Sequence, residues 1–203
     1  MTRSIRPTPK LIVAPALAAQ LSFVAALAVH DAVRPLVSEA ARQLLSLKWP
    51  NDVLIGGDKV AGILAETAAV PGTDAMTIAV GCGLNLAHVP SDLPYPATCL
   101  ARHGATADRD EVFEKLADAM SKQLAAWSDG RGFDVIRQCW LAQAAGLGGR
   151  AAVGTGKDRL EGTFINLAAD GALLLRLDAG EQRAIHGGEV SFADIENSRS
   201  RPT

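Results

Sequence analysis

One stretch near residue 50 contains an amide, a carboxylate and a lysine, which are residue types that can bind and stabilise charged groups. Asn51 and Asp52 directly precede the apolar run 53–55, and Lys59 opens a second apolar run after the turn 56–58. Two apolar runs joined by a glycine-containing turn predict a β-hairpin, which places Asp52 across from Lys59. A carboxylate partner keeps an ammonium charged, and two unit charges about 4 Å apart attract by roughly 4 kcal/mol at an effective dielectric of about 20. The pattern predicts a cation ready to stabilise developing negative charge.

Three positions in this stretch leave more than one interpretation open. A lone lysine after a turn is most often solvated, so Lys59 is either a surface residue or a cation at the mouth of a buried site. Gly62, inside the second apolar run, indicates either a bulge or close approach of a ligand to the backbone. Trp49 is either a core residue or part of the site, and the proline that follows it restricts the backbone before the polar pair.

A second polar stretch follows the predicted strand 76–80. Gly81, Gly83, Leu84 and Asn85 lie at the predicted end of that strand. The two glycines leave the backbone open to a ligand, but no third glycine completes a dinucleotide-binding fingerprint. Asn85 either contacts a nucleotide or a hydrated metal, or it caps a turn.

The composition narrows the function classes. The 203 residues carry a formal net charge of −2 at pH 7, so no basic field is available for nucleic acid. The three cysteines contain no CxxC pair and the four histidines are scattered. We therefore predict neither a disulfide framework nor a protein metal site, and we expect a reducing, cytoplasmic environment.

An uncharged run over residues 11–29 follows three basic residues and resembles a signal peptide or a membrane anchor. Pro15, Gln20 and Ser22 interrupt the run, and alanine, which is only weakly apolar, dominates it. A short strand followed by a buried helix is therefore the favoured interpretation, and no membrane association is expected.

The periodicity predicts the elements that position these residues. Apolar spacing and capping signals predict helices over 21–37, 38–47, 108–127 and 133–145. From about residue 147 short apolar runs alternate with turns, which is typical of a small β-barrel. The fold class is α+β: a mixed sheet with packed helices over 1–146, then a C-terminal small β-barrel over 147–196. Residues 197–203 are expected to form a disordered tail.

The motifs together resemble those of the biotin–protein ligases. The resemblance rests on Lys48-Trp49-Pro50-Asn51-Asp52, on the run from Lys59 to Glu66, on Gly81 to Asn85, and on the C-terminal runs 162–175 and 187–191. It implies ATP-dependent formation of biotinyl-5'-AMP and transfer of biotin to a lysine of a biotin carboxyl carrier protein domain. Biotin and ATP would be the substrates, with Mg²⁺ accompanying ATP and a homodimer as one option for assembly.

The resemblance also implies roles for individual residues. Lys59 would contact the carboxylate of biotin and the phosphate, with Asp52 orienting Lys59 or the incoming lysine. Asn51 and Asn85 would lie near the nucleotide phosphates and magnesium. The remaining binding residues implied are Trp49, Gly62, Ile63, Gly81, Gly83 and Leu84.

One family feature has no counterpart among these residues. The family carries a glycine- and arginine-rich loop that closes over the adenylate, upstream of the lysine–tryptophan–proline motif, and no such loop occurs here. The resemblance therefore predicts a catalytic domain that is incomplete at its N-terminus. The missing loop leaves open one alternative, a catalytically impaired remnant that binds nucleotide or carrier protein. Independently of the loop, a second alternative is a ligase for another acyl group such as lipoate.

Overall fold

The chain forms two antiparallel sheets joined by helices. The computed structural model describes residues 11–13, 15–73, 76–89, 91–154 and 159–193; the tail predicted from Asn197 lies outside them. The first sheet has the order β1-β5-β4-β3-β2. Its strands are β1 (Leu11–Val13), β2 (Leu45–Lys48), β3 (Asp52–Ile55), β4 (Asp58–Ala69) and β5 (Met76–Leu84).

The second sheet follows the last helix and has the order β10-β6-β7-β8-β9. Its strands are β6 (Arg150–Val153), β7 (Leu160–Leu167), β8 (Leu173–Arg176), β9 (Gln182–Ile185) and β10 (Val190–Phe192). The helices are α1 (Pro15–Ala18), α2 (Gln20–Val33), α3 (Glu39–Gln43), α4 (Arg109–Trp127) and α5 (Phe133–Ala142). Helices packed on one sheet and followed by a small sheet-rich unit confirm the predicted fold class.

Every ladder among the described strands runs antiparallel. The parallel pairing expected of a mixed sheet is limited to two isolated bridges, Leu47 with Ala144 and Lys59 with Ala97. Short turns join β2, β3 and β4 in succession, and an antiparallel meander is the arrangement that such turns permit.

Helix α2 forms the centre of the core. Twelve of its residues are buried, and its alanines let neighbouring elements approach closely, since Ala28 and Ala32 pack against Ala119 of α4. Helix α4 begins where the sequence predicts, because the Asp108 side chain accepts hydrogen bonds from the backbone N–H groups of Asp110 and Glu111. One continuous apolar core joins α2 to residues of both sheets. None of the described helices is long and apolar enough to cross a membrane.

Three predicted helix boundaries are wrong. The helix predicted over 38–47 ends at Gln43, and the chain then enters β2, where Leu45 and Leu47 are buried in alternation as they pair with β3. The helix predicted to reach Val37 ends at Val33, before a 3₁₀ turn that contains Pro35. The last predicted helix ends at Ala142 instead of residue 145.

Candidate active site

The register of the β3–β4 hairpin decides which side chains share a face. Asp52 pairs with Gly62 and Leu54 pairs with Lys59, with one extra residue of β4, Val60, between the two halves of the ladder. Directly paired residues and residues two apart project to the same face of a sheet. The extra residue therefore puts Lys59 on the face that carries Asp52 and Gly62; without it Leu54 would pair with Val60, and Lys59 would face the other way.

Asp52 and Lys59 form the ion pair that the sequence predicts. The Lys59 Nζ lies 2.6 Å from Asp52 Oδ1, and the two side chains are 24% and 18% exposed. The Asp52 Oδ1 atom has no hydrogen-bond donor besides this ammonium within the described part of the chain. The Lys59 side chain is therefore mostly covered and its ammonium is held by a carboxylate, which favours a cation at the mouth of a buried site over a solvated surface residue.

Gly62 lies directly against the Asp52–Lys59 ion pair. A β-carbon at Gly62 would lie 3.0 Å from both Cε and Nζ of Lys59, and 3.5 Å from Asp52 Oδ1. The bulge itself lies at Val60, two residues earlier. The missing side chain at position 62 therefore leaves the space in which the lysine lies across the strand; a β-carbon there would displace the end of Lys59.

Asn51 clamps the turn before β3 onto β4. Its side-chain Nδ2 donates to the Ile63 carbonyl at 2.7 Å, and the Ile63 N–H donates to the Asn51 carbonyl at 2.8 Å. The side chain of Ile63 is buried in the apolar core, so only its backbone faces Asn51. These two bonds fix where Asp52 leaves the turn.

Asn85 ties β5 to the loop that follows it. Its N–H donates to the Val60 carbonyl, its Nδ2 donates to the Thr98 carbonyl at 3.0 Å, and its own carbonyl accepts from the Leu100 N–H. The turn-capping interpretation of Asn85 thus has direct support in the geometry. Strand β5 continues through Leu84 instead of ending at Val80, because the backbone of Gly81 to Leu84 stays paired with β4.

The glycines of β5 lie on the exposed side of the sheet. Gly83 pairs with Gly62 and Gly81 pairs with Leu64, and both β5 glycines are exposed. A β-carbon at either position would meet only a β4 carbonyl oxygen, at 3.8 Å. The chain itself therefore does not require glycine there, and the bare surface is open for a ligand. Leu84 is half-buried and packs against the core.

Trp49 joins the two sheets. Its ring is 2% exposed, and its Nε1–H donates to the carbonyl of Gly171 in the β7–β8 turn at 3.0 Å. Gly171 has a φ of +91°, and a β-carbon there would lie 2.7 Å from the Phe23 ring of α2. The peptide bond between Trp49 and Pro50 is cis. Trp49 is thus a core residue as well as a wall of the cavity described next.

Two cavities meet at Lys59. The larger, of about 400 Å³, is lined by Trp49, Asn51, Asp52 and Lys59 together with Glu189 to Phe192 of the second sheet. The smaller, of about 380 Å³, is lined by Lys59, Gly62, Gly83, Leu84 and Asn85. Gly81 lies outside both, one ladder pair farther along. Most residues singled out from the sequence thus line one or both of two cavities that share Lys59.

The site also contains residues that the sequence does not point to. Tyr95 lines both cavities, and its ring centroid lies 4.8 Å from Lys59 Nζ. Behind Lys59, the Thr98 hydroxyl lies 2.8 Å from Nε2 of His103. Burial holds the pKa of His103 below its ordinary value, and Arg102 lowers it further while the Asp58 carboxylate opposes the shift. The only signal for this region is a proline-rich segment, which indicates a loop and nothing about its contacts.

Cys82 faces the opposite side of β5 from the glycines. It pairs with Ile63 and packs against the core, and burial raises the pKa of its thiol to about 11. A thiol with such a pKa stays protonated near neutral pH and is a poor nucleophile. The candidate chemistry therefore rests on Lys59 and Asp52.

Two family models match separate parts of the chain. The model for the biotin/lipoate A/B protein ligase family matches residues 10–85, which contain Lys59 and both polar stretches. The model for the biotin protein ligase C-terminal domain matches residues 147–193, which contain the second sheet. The two matches correspond to the two sheets that border the larger cavity.

Individual relatives agree with these matches. A biotin–[acetyl-CoA-carboxylase] ligase of Paracoccus denitrificans is 42% identical over 181 residues, which are 86% of this chain and 73% of that protein. The bifunctional ligase/repressor BirA of Bacillus subtilis is 30% identical over 182 residues, and the chain spans 52% of its length. A biotin protein ligase from Aquifex aeolicus, solved with biotin and ATP, superposes with a TM-score of 0.69 at 28% identity, covering 86% of this chain and 71% of that one. The chain therefore belongs to the biotin/lipoate A/B protein ligase family, among its biotin protein ligases.

Proposed function

We propose that this chain is an ATP-dependent biotin–protein ligase that acts on a lysine of a biotin carboxyl carrier protein. The observation that carries the proposal is the position of Lys59: its ammonium is fixed by Asp52 and faces two cavities at once. The family membership and the biotin and ATP bound by the Aquifex aeolicus relative support this substrate pair.

The proposed reaction has two steps. A carboxylate oxygen of biotin attacks the α-phosphate of ATP, a new phosphorus–oxygen bond forms, and pyrophosphate leaves. The amine of the acceptor lysine then attacks the carbonyl carbon of biotinyl-5'-AMP, an amide bond forms, AMP leaves, and the amine gives up a proton. Negative charge increases on the α-phosphate oxygens in the first step and on the carbonyl oxygen in the second. A fixed cation beside both groups stabilises each transition state.

The two cavities beside Lys59 suit different reacting groups. The smaller cavity has Lys59 and the glycines at 62 and 83 but no carboxylate among its lining residues, so it suits an anionic group that lies close to the backbone. The larger cavity contains Asp52 and Glu189, whose carboxylates suit an incoming amine. Because the two cavities meet at Lys59, an acyl phosphate and an amine can approach each other there.

Magnesium enters the proposal together with ATP. Among the described residues no group of three histidine, cysteine or acidic side chains is placed to hold a metal ion. Mg²⁺ commonly keeps several waters and binds through substrate phosphates with one or two carboxylates. The three cysteines are unpaired, which supports action in a reducing compartment such as the cytoplasm.

The test measures each step separately. Biotin-dependent exchange of labelled pyrophosphate into ATP reports the first step, and biotin transfer to a purified carrier domain of acetyl-CoA carboxylase reports the second. Lys59→Ala is expected to lower both rates by about 100-fold or more, the scale seen when one electrostatic contact to a transition state is removed. Lys115→Ala, which removes a lysine paired with Glu111 on the surface of α4, is the matched control.

Two results would contradict the proposal. One is the absence of both exchange and transfer in the unaltered protein; the other is undiminished transfer by Lys59→Ala. Lipoate offered in place of biotin distinguishes the acyl group, and a faster reaction with lipoate would redirect the proposal to the other branch of the family.

A further inference from the structure

Tyr95 stands at the boundary between the two cavities. Its side chain lines both of them, and the residue is 42% exposed, so packing alone does not explain an aromatic ring there. The Lys59 ammonium lies 4.8 Å from the ring centroid, within the distance at which a cation is attracted to the face of an aromatic ring.

The backbone fixes this contact. The Lys59 N–H donates to the Pro96 carbonyl at 3.0 Å, and the Thr98 N–H donates to the Lys59 carbonyl at 2.9 Å. Asn85 holds the same loop through its bond to the Thr98 carbonyl. Prolines on both sides of Tyr95 further restrict its backbone. The loop that carries the ring is thus bonded directly to the residue whose side chain the ring contacts.

Three groups then confine the Lys59 side chain. Asp52 attracts the ammonium from one side, the Tyr95 ring attracts it from another, and Gly62 leaves the space in which it lies. Asp52 alone would draw the ammonium into the larger cavity, because Asp52 lines only that cavity. The ring lines both, so its attraction keeps the ammonium at the junction.

We propose that Tyr95 is a positioning residue, whose ring holds the Lys59 ammonium at the junction of the two cavities so that it reaches the reacting groups of both steps. The inference rests on the proposed function for its catalytic consequence, but the Tyr95–Lys59 contact is measurable without any turnover. The contact requires the aromatic face and not the hydroxyl.

The experiment compares Tyr95→Phe, which keeps the ring, with Tyr95→Leu, which keeps apolar bulk without an aromatic face. The first measurement is the rate at which Lys59 is acetylated by an N-hydroxysuccinimide ester, followed by mass spectrometry of the peptide, with Lys115 as internal reference. We expect Tyr95→Leu to raise the Lys59 rate about threefold, because the amine loses its aromatic cover, and Tyr95→Phe to leave it unchanged.

The second measurement is biotin-dependent pyrophosphate exchange. Tyr95→Leu should lower kcat about fivefold with little change in the KM for biotin or ATP, as expected for a lost cation–π contact acting on the transition state, and Tyr95→Phe should retain the original rate. Equal Lys59 acetylation in all three proteins would overturn the proposal. So would a loss of exchange without altered acetylation, which would assign the ring to ligand contact. If the unaltered protein shows no exchange, the proposed function fails while the acetylation rates still decide the contact.

Discussion

Trp49, Asp52 and Lys59 lie in one short segment of chain, but the Asp52–Lys59 ion pair and the Trp49–Gly171 contact differ in exposure and in the distance along the chain that they span. The ion pair is partly exposed, opens onto two cavities and joins neighbours on one hairpin. The indole contact is buried and joins residues of the two sheets that are 122 positions apart. The first leaves a charge where a ligand can reach it, whereas the second fixes the wall of the cavity in which that charge acts.

This difference separates residues that perform chemistry from residues that hold the site together. The ion pair presents a charge that a ligand can reach from either cavity, so its removal should affect activity first. A buried ring whose N–H is bonded contributes through both packing and the hydrogen bond. Substitutions at the two contacts should therefore change different measurements.

The largest expected effect on stability belongs to Trp49. Trp49→Ala should lower the free energy of unfolding by about 3–5 kcal/mol, the usual cost of removing a large buried ring. Trp49→Phe should cost about 1 kcal/mol beyond the change in ring size, because the Gly171 carbonyl loses its donor. Urea unfolding followed by circular dichroism measures both.

Trp140 offers a matched control for that measurement. It is also fully buried, but its Nε1 has no hydrogen-bond partner among the described residues. Trp140→Phe therefore makes a similar change of ring size without breaking a hydrogen bond. Equal destabilisation by Trp49→Phe and Trp140→Phe would show that the bond between the sheets contributes nothing.

The substitution Gly62→Ala tests the Asp52–Lys59 ion pair in the same way. A β-carbon in Gly62→Ala would meet the flexible end of Lys59 at 3.0 Å, so the ammonium should move while the fold stays intact. We expect biotin transfer to fall about tenfold, a change of about 1.4 kcal/mol in the activation free energy. The free energy of unfolding should stay within about 0.5 kcal/mol of the original value.

Gly187→Ala is the control for Gly62→Ala, because a β-carbon at position 187 meets nothing within 4 Å. It should change neither transfer nor stability. Undiminished transfer by Gly62→Ala would mean that Lys59 acts from a different position. A loss of several kcal/mol in the free energy of unfolding would mean instead that Gly62, like Trp49, is needed mainly to hold the fold together.

The sequence predicts local features of this site better than distant ones. The ion pair was predictable because a turn of a few residues connects its partners, and hairpin signals are local. The Trp49–Gly171 contact was not, because no pattern in either segment indicates where the other will lie. The close approach of Lys59 to Gly62 is equally hard to predict, since it depends on an extra residue at Val60 that turns Lys59 to the same face.

The fold shows the same division. The fold class, the hairpin and the capped helix α4 follow from periodicity and capping residues that act over a few positions. The first three residues of β2, Leu45 to Leu47, are predicted as helix because their neighbours favour a helix locally, and pairing with β3 makes them extended. Local preference is a weak guide wherever a neighbouring strand supplies the missing hydrogen bonds.

The smallest expected effect concerns His103, a structural contact behind Lys59. Burial keeps the folded-state pKa of His103 below its ordinary value of 6.5, so the unfolded chain binds the proton more tightly than the folded one. Stability should therefore be complete above pH 6.5 and should decrease as the pH falls from there toward the lower folded-state pKa. The neighbouring charges of Asp58 and Arg102 act in opposite directions and leave burial as the main cause.

His103→Gln isolates this contribution, since it keeps a polar group near Thr98 but does not titrate. The difference between the unfolding free energies of the two proteins, measured across pH 5 to 8, should change only below about pH 6.5. Transfer activity at pH 8 should be nearly the same in both, because Thr98 lies between His103 and Lys59: its hydroxyl is 2.8 Å from the His103 ring, and its N–H donates to the Lys59 carbonyl. An identical pH dependence in the two proteins would mean that His103 does not contribute to stability through its titration. A large loss of transfer activity at pH 8 would mean that His103 acts in the reaction together with Lys59.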